Sequence, residues 1–258
     1  MKKKIVIAGG TGFIGTFLKQ KMEELGYEVK IISRQQNHIK WENEEDIINA
    51  VENAEMLINL AGKSVDCRYN EKNKKEIYDS RINTTKQLGK AIERCKNPPA
   101  LWINSSTATI YRHAEDRPMT ESTGEIGSGF SVGIATAWEK SFFDFNFKST
   151  RQVALRMAIV LGKDGGVIQP LKNLVRFGLG GKSGEGNQMF SWIHIEDLLN
   201  IILFLQQNKN LHGAINTAAP NPETNISFMK KCRKYMSMPI GLPTPKWLLE
   251  IGAVIIKT

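Results

Sequence analysis

The stretch that decides the fold is KIVIAGGTGFIG, Lys4 to Gly15. It opens with an apolar, β-branched run, which is typical of a strand buried in a parallel sheet, and glycines follow at once. Phe13 to Leu25 then carries apolar residues at helical spacing, and Gly26 stands where a helix C-cap prefers glycine. Glu28 to Arg34 reads as a second strand. Strand, glycine turn, helix and strand predict one βαβ unit with a right-handed crossover.

The glycines of this turn suit the pyrophosphate of a dinucleotide, which is bulky and doubly negative. Gly9 allows the sharp turn, Gly12 lets the backbone approach the phosphates, and Gly15 permits close packing of helix on strand. The helix N-terminus adds N–H donors and the positive end of its dipole. Glycine turns also occur for purely structural reasons, but this one has the strand–helix context that a nucleotide site requires. We therefore predict cofactor contacts from Gly9, Thr11, Gly12, Phe13, Ile14 and Gly15.

The end of the second strand distinguishes between two cofactors. An NAD site usually places Asp or Glu there to bind the ribose 2′-hydroxyl, whereas this chain has Ser33 and Arg34. A carboxylate would repel a 2′-phosphate, and a guanidinium pairs with one bidentately. A solvated arginine after a strand is the structural alternative. The pair Ser33-Arg34 predicts NADP(H) as the cofactor.

Strand and helix patterns continue to alternate beyond this unit. Helical spacing and apolar runs predict helices over 46–53, 72–95 and 136–147, and strands over 56–61, 100–104 and 151–160. This alternation indicates an α/β protein with a doubly wound parallel sheet of the Rossmann type.

Beyond Gly162 the chain becomes rich in glycine loops, with predicted helical stretches over 167–177 and 192–207. We expect an NADP-binding Rossmann domain over 1–162, with core elements returning later, and a smaller C-terminal substrate lobe over 163–258. The apolar segment Trp247 to Ile256 ends without a cap or a polar tail. Either it packs against the core or the chain is part of something longer, and we expect the second.

The composition excludes several classes of function. The net charge of +9, from 35 basic and 26 acidic residues, is spread along the chain and does not interleave with aromatic residues, which argues against nucleic acid and for an anionic small molecule. Three scattered cysteines without CxxC spacing and four scattered histidines predict neither disulfides nor a metal site. No apolar run reaches the ~18–20 residues of a membrane span. We expect a reducing, cytoplasmic location.

Four segments resemble the extended short-chain dehydrogenase/reductase superfamily in its epimerase/dehydratase-like branch. They are GGTGFIG, Asn59–Gly62, Ser105–Tyr111 with its SSxxxxY pattern, and the WIHIEDL segment Trp192–Leu198. The resemblance implies that Leu60, Ala61 and Gly62 pass near the nicotinamide ribose. Further stretches, among them NLAGKSVDCRY and FGLGGKSGEGNQMFSWIH, resemble the SDR39U1-like subgroup labelled epimerase family protein. In that subgroup a P-x-P motif similar to Pro243-Thr244-Pro245 precedes a further C-terminal segment.

The catalytic pattern of the superfamily is incomplete in this chain. Its chemistry rests on a Tyr-xxx-Lys pair on a helix, with a Ser or Thr hydroxyl that polarises the same substrate oxygen. The resemblance places Thr107 at that hydroxyl, and Ser131 and Ala135 at the tyrosine and lysine positions; a shift of one gives Phe130 and Ile134. No tyrosine of the sequence has a lysine four residues later. The usual proton relay is absent.

Several residues are candidates for parts of a substituted site. Tyr111, four residues after Thr107, is either a catalytic donor in the cleft or a core tyrosine that closes the strand end. For the substrate the candidates are Arg68, Arg81, Glu121 and His194, and Lys63 is a candidate cofactor contact; each has a structural alternative as a solvated charge or a hydrogen-bonded scaffold residue.

Two functional hypotheses follow. The first is an NADP-dependent oxidoreductase or epimerase for a small anionic or sugar-like substrate, with Thr107 and Tyr111 as its catalytic residues. The second is a non-catalytic NADP-binding sensor, assembly or regulatory protein, which would keep GGTGFIG and Arg34 while losing the relay. Relatives often form homodimers, but the sequence carries no distinct interface pattern.

Overall fold

The computed structural model of the chain describes residues 2–163 and 165–243. The elements of its first part are β1 (Lys4–Ala8), α1 (Phe13–Glu24), β2 (Glu28–Ile32), α2 (Glu44–Val51), β3 (Met56–Asn59), α3 (Glu71–Arg94), β4 (Leu101–Thr107), α4 (Phe130–Phe143) and β5 (Arg151–Met157). The later elements are β6 (Ile159–Gly162), β7 (Gly165–Gly166), α5 (Ile168–Arg176), β8 (Met189–Phe190), β9 (Trp192–His194), α6 (Ile195–Gln207), β10 (Gly213–Thr217), β11 (Glu223–Thr224) and α7 (Asn225–Tyr235).

The central sheet has six parallel strands in the order β10-β5-β4-β3-β1-β2. From β1 the chain first adds β2 on one side and then crosses to add β3 on the other, so the strand order reverses at β1. In doubly wound sheets ligands bind at the carboxyl ends of the strands beside that reversal. The predicted Rossmann-type α/β fold is confirmed, and the glycine turn after β1 lies at the reversal point.

Both faces of the sheet are covered, which explains why its inner strands β1, β3 and β4 begin as mainly apolar runs. On one face the strands pack against α1 and α6, through residues such as Leu18 and Ile202. On the other face they pack against α2, α3 and α4, where Trp102 stacks edge-on against Phe142 with ring centroids 4.5 Å apart. The sheet thereby lies between two helical layers.

The residues after β5 divide between this sheet and a smaller assembly. Helix α6 and strand β10 return to the main sheet. Strands β6, β7 and β9 form a separate three-stranded sheet, β8 pairs with β11, and α5 packs on α7 around Val175, Phe228 and Met229. The small assembly projects beyond the carboxyl ends of the main strands, where it forms one wall of a cleft.

Three predicted boundaries were wrong, two because of strand pairing distant in sequence and one because of a local glycine conformation. The predicted helix over 192–207 begins instead at Ile195, since Trp192–His194 pairs with β6 as a strand. The predicted strand over 151–160 divides at Ala158, where the chain leaves the main sheet for the small one. The helix predicted over 136–147 is α4, which starts at Phe130 after Gly129 adopts a φ of 100°.

In residues 2–163 and 165–243 the structure contains no helix with the length and apolar character needed to cross a membrane. The predicted apolar segment 247–256 and the last two residues of Pro243-Thr244-Pro245 lie outside the described residues.

Candidate functional site

The three motif glycines after β1 differ in what surrounds them. Gly9 has a φ of 74°, and a Cβ on it would lie 2.7 Å from Cα of Ala61, so the turn is pressed against the segment after β3. A Cβ on Gly15 would lie 2.5 Å from Cα of Gly10, inside the turn itself. Around Gly12 nothing lies within 4 Å of the Cβ position. Gly9 and Gly15 therefore shape the turn, and Gly12 leaves an open approach to its backbone.

The N-terminus of α1 faces this open approach. Gly12 is the N-cap residue and carries no side chain to cap the helix, and the first turn contains no acidic residue. Within the described chain, no side chain accepts a hydrogen bond from the backbone N–H groups of Phe13, Ile14 or Gly15. Free N–H groups and the positive end of the helix dipole form a site for an anionic phosphate. The geometry fits the pyrophosphate that the sequence predicts there.

Phe13 links the glycine turn to the small assembly. A Cβ on Gly162 would lie 2.7 Å from Cζ of its ring, and Gly165 and Gly166 of the same hairpin also approach that ring closely. Strands β6 and β7 need these glycines because a side chain there would displace Phe13. The ring of Phe13, a predicted cofactor residue, thus packs against the glycines of β6 and β7. Thr11 is exposed at the turn.

The end of β2 carries a cationic pair. Ser33 is buried, and its Oγ lies 2.9 Å from Nδ1 of His38 and accepts a hydrogen bond from the Gln35 N–H, so its hydroxyl holds the next turn. Arg34 is exposed, and its side chain has no ion pair among the described residues. Lys40, which the sequence analysis missed, donates from Nζ to the Arg34 carbonyl oxygen at 2.9 Å. Two cationic residues, one of them bonded to the backbone of the other, therefore lie one strand away from the glycine turn.

A buried polar network fixes the turn after β3. Asn59 is fully buried; its Oδ1 accepts from the Ala61 N–H at 3.0 Å, and its Nδ2 donates to Oδ1 of Asn104 at 2.7 Å and to Oγ1 of Thr85 at 3.0 Å. Trp138 Nε1 on α4 donates to the same Thr85 oxygen at 2.9 Å. These bonds hold the predicted cofactor segment Leu60, Ala61 and Gly62 in one position against Gly9. Thr85 and Asn104 were missed because their partners are distant in sequence.

The turn is also fastened to α3. The Lys63 N–H donates to Oγ of Ser80 at 2.8 Å, and Nη1 of Arg81 donates to the carbonyl oxygens of Lys63 at 3.1 Å and Ile77 at 3.0 Å. The Lys63 ammonium pairs with Glu76 and Asn73, so it points along α3 and not toward the predicted cofactor path. Burial lowers the pKa of the Arg81 guanidinium, which has no carboxylate partner within the described residues.

A cleft of about 950 Å³ opens at the carboxyl ends of β4, β5 and β10. Its walls include Thr107 at the end of β4, Tyr111 in the following turn, Arg156 near the end of β5 and Asn216 on β10. The structure thus brings Thr107 and Tyr111, the two predicted catalytic residues, into one cleft; their catalytic role stays a prediction. Arg156 and Asn216 were missed because no sequence motif marks them.

Tyr111 is held by both of these missed residues. Nη1 of Arg156 donates to the Tyr111 hydroxyl oxygen at 2.8 Å, and that hydroxyl donates to Oδ1 of Asn216 at 2.8 Å. The remaining nitrogens of Arg156 form a bidentate pair with Glu139, at 2.9 and 2.8 Å, and the Ser106 hydroxyl donates to Glu139 at 2.6 Å. Hydrogen bonding to Glu139 raises the pKa of Arg156, so the guanidinium beside Tyr111 stays charged.

Helix α4 carries no substitute relay at the positions that the resemblance marks. Ser131 is exposed in its first turn, and Ala135 is buried with 1% of its surface accessible. Thr107, Tyr111, Arg156 and Asn216, which reach the cleft, come instead from β4, the turn after it, β5 and β10.

Two of the other substrate candidates, Glu121 and His194, have structural partners. Glu121 Oε1 accepts from the Asn216 N–H at 2.7 Å, which ties the loop after Tyr111 to β10. His194 is exposed and caps α6, since its Nδ1 accepts from the Glu196 N–H at 3.3 Å. Arg68 is exposed on the loop before α3 and does not line the cleft.

Over the part of the chain that the structure describes, no three His, Cys, Asp or Glu side chains are grouped so that they could hold a metal ion.

Comparison with known proteins shows the family of the chain. The model of the NAD dependent epimerase/dehydratase family matches residues 5–130. The mouse epimerase family protein SDR39U1 is 34% identical over 253 residues, which cover 96% of this chain and 85% of the mouse protein. The epimerase family protein YfhF of Bacillus subtilis is 32% identical over 268 residues, covering 98% of this chain and 88% of its own.

Two solved structures are similar to this chain in fold. Human epimerase family protein SDR39U1 (isoform 2), crystallised with NADPH, superposes with a TM-score of 0.88 at 30% identity and covers 98% of this chain and 88% of its own. UDP-glucose 4-epimerase of Thermotoga maritima, at 17% identity, shares the fold, with a TM-score of 0.76 over 94% of this chain and 85% of its own. The chain belongs to the NAD-dependent epimerase/dehydratase family, within the group of epimerase family proteins similar to SDR39U1.

Proposed function

We propose that the protein is an NADP(H)-binding oxidoreductase or epimerase-like enzyme that acts on a small, sugar-like or anionic substrate in the cleft beside Thr107 and Tyr111. The observation that carries the proposal is the hydrogen bond from the Arg156 guanidinium to the Tyr111 hydroxyl, inside that cleft. A phenol beside a fixed positive charge is a suitable proton donor, and Thr107 supplies the second hydroxyl.

Several features support NADP(H) over NAD(H). Arg34 follows β2, where a 2′-phosphate would lie, and Lys40 Nζ contacts its backbone carbonyl oxygen. No carboxylate occupies the two positions after that strand. A bidentate guanidinium with a second cation nearby is suited to a phosphate dianion. The human relative was crystallised with NADPH. The pyrophosphate would be held by the turn of Gly9, Gly12 and Gly15 and the free N–H groups of α1.

The chain's own residues supply the acid–base part of the reaction. A bound nicotinamide would supply the hydride chemistry at the substrate carbon. Thr107 and Tyr111 hold the substrate oxygen, and Tyr111 transfers its hydrogen bond from Asn216 to that oxygen and gives up its proton. Arg156 stabilises the negative charge that then remains on the phenol oxygen, while Glu139 and Ser106 fix the guanidinium. In the reverse direction Tyr111 takes the proton back.

The lining of the cleft supports a sugar-like substrate. The rim guanidinium groups of Arg112 and Arg117 are paired with carboxylates, Arg112 with Asp116 and Glu125 and Arg117 with Glu125. The charges of these two arginines are therefore compensated, as is that of Arg156 on the wall, and the other lining groups include hydroxyl, amide and apolar side chains. Such a lining suits a ligand with several hydroxyl groups. The volume of about 950 Å³ is large enough for a sugar with a further substituent.

A non-catalytic NADP(H)-binding role is the second candidate, and one observation favours it. The Tyr111 hydroxyl uses its donor on Asn216 and an acceptor site on Arg156, and α4 presents Ser131 and Ala135 in place of the usual pair. A protein that only responds to bound cofactor would then act through a protein partner. In either role, three free cysteines and the use of NADP(H) are consistent with a cytoplasmic location.

Two measurements test the proposal. Fluorescence titration with NADPH and NADH is expected to show tighter binding of NADPH, and equal affinities would remove the NADP(H) assignment. A panel of carbonyl substrates, with sugar aldehydes and keto sugars among them, is then followed by NADPH absorbance. Turnover of one panel member supports the enzyme. Tight NADPH binding without any turnover across the panel would favour the non-catalytic role.

A further inference from the structure

One wall of the cleft is apolar, and the acid–base chemistry proposed above does not use it. Its side chains come from the small assembly and from the segment after β10: Ile159 on β6, Met189 on β8, and Ala219, Pro220 and Pro222. We call these five residues the apolar wall. Ile159 and Met189 are 41% and 40% exposed, so two large hydrophobic side chains are open to the cleft. Exposed apolar groups gathered in a concave site are typical of a ligand contact.

The backbone of the apolar wall offers a ligand few N–H groups. The Ile159 N–H donates to the Ser191 carbonyl oxygen at 3.2 Å, and the Ala219 N–H donates to the Trp192 carbonyl oxygen at 2.7 Å. The two prolines have no N–H to donate. The wall therefore presents mainly apolar side chains, and it stabilises a ligand by removing apolar surface from water.

The cationic groups of the cleft are already compensated. The guanidinium groups of Arg112, Arg117 and Arg156 line it, and each is paired with a carboxylate of the protein. Among the described residues, no lysine lines the cleft. The diphosphate of a nucleotide sugar carries two negative charges and would meet no unpaired cation there. The loss of its hydration would then not be compensated.

We propose that the substrate is an uncharged, sugar-like compound whose further substituent is an alkyl or aryl group, held against the apolar wall, and not a nucleoside diphosphate. The hydroxyl-bearing end lies at Thr107 and Tyr111, and the apolar substituent lies against Ile159 and Met189. The volume of about 950 Å³ accommodates both parts. This inference rests on the proposed function and deepens it, because it names the class of substrate for the same cleft.

The test is a calorimetric titration of the NADP⁺-saturated protein with phenyl α-D-glucopyranoside, methyl α-D-glucopyranoside and UDP-glucose. The three share the sugar and differ in the group that would meet the apolar wall. Met189→Glu adds a carboxylate to that wall, and Ile159→Thr removes apolar surface while keeping a β-branched side chain suited to a strand. The control Phe204→Glu adds the same carboxylate on α6, at a side chain that is 54% exposed and does not line the cleft.

The phenyl derivative is expected to bind about 10- to 100-fold more tightly than the methyl derivative, because a phenyl group buries more apolar surface. UDP-glucose is expected to bind more weakly than the phenyl derivative. Met189→Glu is expected to remove most of the phenyl preference, and Phe204→Glu is expected to leave it unchanged. Ile159→Thr is expected to reduce it in part, and it also serves if Met189→Glu does not fold. Equal affinities for the phenyl and methyl derivatives, tighter binding of UDP-glucose, or no binding of the phenyl derivative would overturn the proposal.

The proposed function would fail through a different result. Absence of turnover across the carbonyl panel, in a protein that shows the phenyl preference, would exclude the enzyme and leave the apolar site in place. Turnover of charged and apolar panel members with equal kcat/KM would support the enzyme and overturn this inference.

Discussion

Nη1 of Arg156 lies 2.8 Å from the hydroxyl oxygen of Tyr111, so a strand residue supplies the positive charge that α4 does not bring to this cleft. The arginine is oriented from behind by Glu139, and the side chains of the two residues are only 12% and 10% exposed. Water therefore screens this pair little, and the guanidinium keeps one orientation toward the phenol. The site combines a hydroxyl donor, Tyr111, with a fixed cation.

Replacement of Tyr111 by Phe removes the proposed proton donor and leaves the ring in place. We expect turnover of a substrate identified from the panel to fall by about 10²- to 10⁴-fold, with NADPH affinity unchanged. Tyr78→Phe, on the exposed face of α3, is the matched control and is expected to retain full activity. Steady-state kinetics and fluorescence titration measure the two quantities. A Tyr111→Phe protein with wild-type kcat would exclude Tyr111 as the donor.

Replacement of Arg156 by Met leaves the Glu139 carboxylate buried without its partner. We expect the free energy of unfolding to fall by about 3–5 kcal/mol, since an isolated buried charge is costly. The additional change Glu139→Leu removes that charge and is expected to restore part of the loss. Urea denaturation of the two variants measures the effect. If the free energy of unfolding of Arg156→Met fell by less than about 1 kcal/mol, the Arg156–Glu139 pair would contribute no more to stability than an exposed ion pair does.

The Cys95 thiol gives a pH dependence that does not involve the cleft. Burial, with a smaller effect from Glu52, raises the pKa of Cys95 from an ordinary 9.0 to about 11. The folded state thus holds this proton more tightly than the unfolded chain, so the contribution to stability is complete below the ordinary pKa and is lost as the pH rises toward 11. Urea denaturation between those values is expected to show a steeper loss for the wild type than for Cys95→Ala. Parallel curves would contradict the assignment.

Two of the glycines after β1 are expected to respond differently to alanine. Gly15→Ala places a Cβ 2.5 Å from Cα of Gly10 and is expected to lower the melting temperature, because the backbone of the turn must move. Gly12→Ala meets no atom within 4 Å and is expected to fold normally while binding NADPH more weakly, since the new methyl group occupies the open approach. Melting curves with and without NADPH separate these effects. An unchanged NADPH affinity in Gly12→Ala would contradict phosphate binding at this turn.

The parts of the structure that sequence could predict are those set by local pattern. The strand before GGTGFIG and the helix after it are both visible as local patterns, and they predict the geometry of the glycine turn. The position of Ser33-Arg34 follows from where β2 ends. The Arg156–Tyr111 contact joins residues 45 positions apart, and its residue types have no fixed spacing in any motif. The strand Trp192–His194 reads as helix by pattern alone because only its pairing with β6 makes it extended. Both the Arg156–Tyr111 contact and the strand Trp192–His194 depend on pairing between residues distant in sequence. A single sequence does not show which distant residues pair.

Arg34 and Lys40 are expected to decide between the two nicotinamide cofactors. Arg34→Ala removes an exposed guanidinium that has no ion pair within the described chain, so stability is expected to remain unchanged while NADPH affinity falls by about tenfold. NADH, which lacks the 2′-phosphate, is expected to bind as before. In Arg34→Ala/Lys40→Ala the affinities for NADPH and NADH are expected to become nearly equal, since no cation then remains at the end of β2.

The matched control for this pair is Lys90→Ala, which removes one exposed charge from α3 and is expected to leave both affinities unchanged. Titrations at low and high salt add a second criterion. A specific phosphate contact gives a loss confined to NADPH, whereas general attraction by the net charge of +9 would weaken every variant's binding in proportion to the charge removed, Lys90→Ala included. An equal decrease for NADPH and NADH in Arg34→Ala would show that this arginine does not recognise the 2′-phosphate, and the cofactor preference would then have to come from elsewhere in the site.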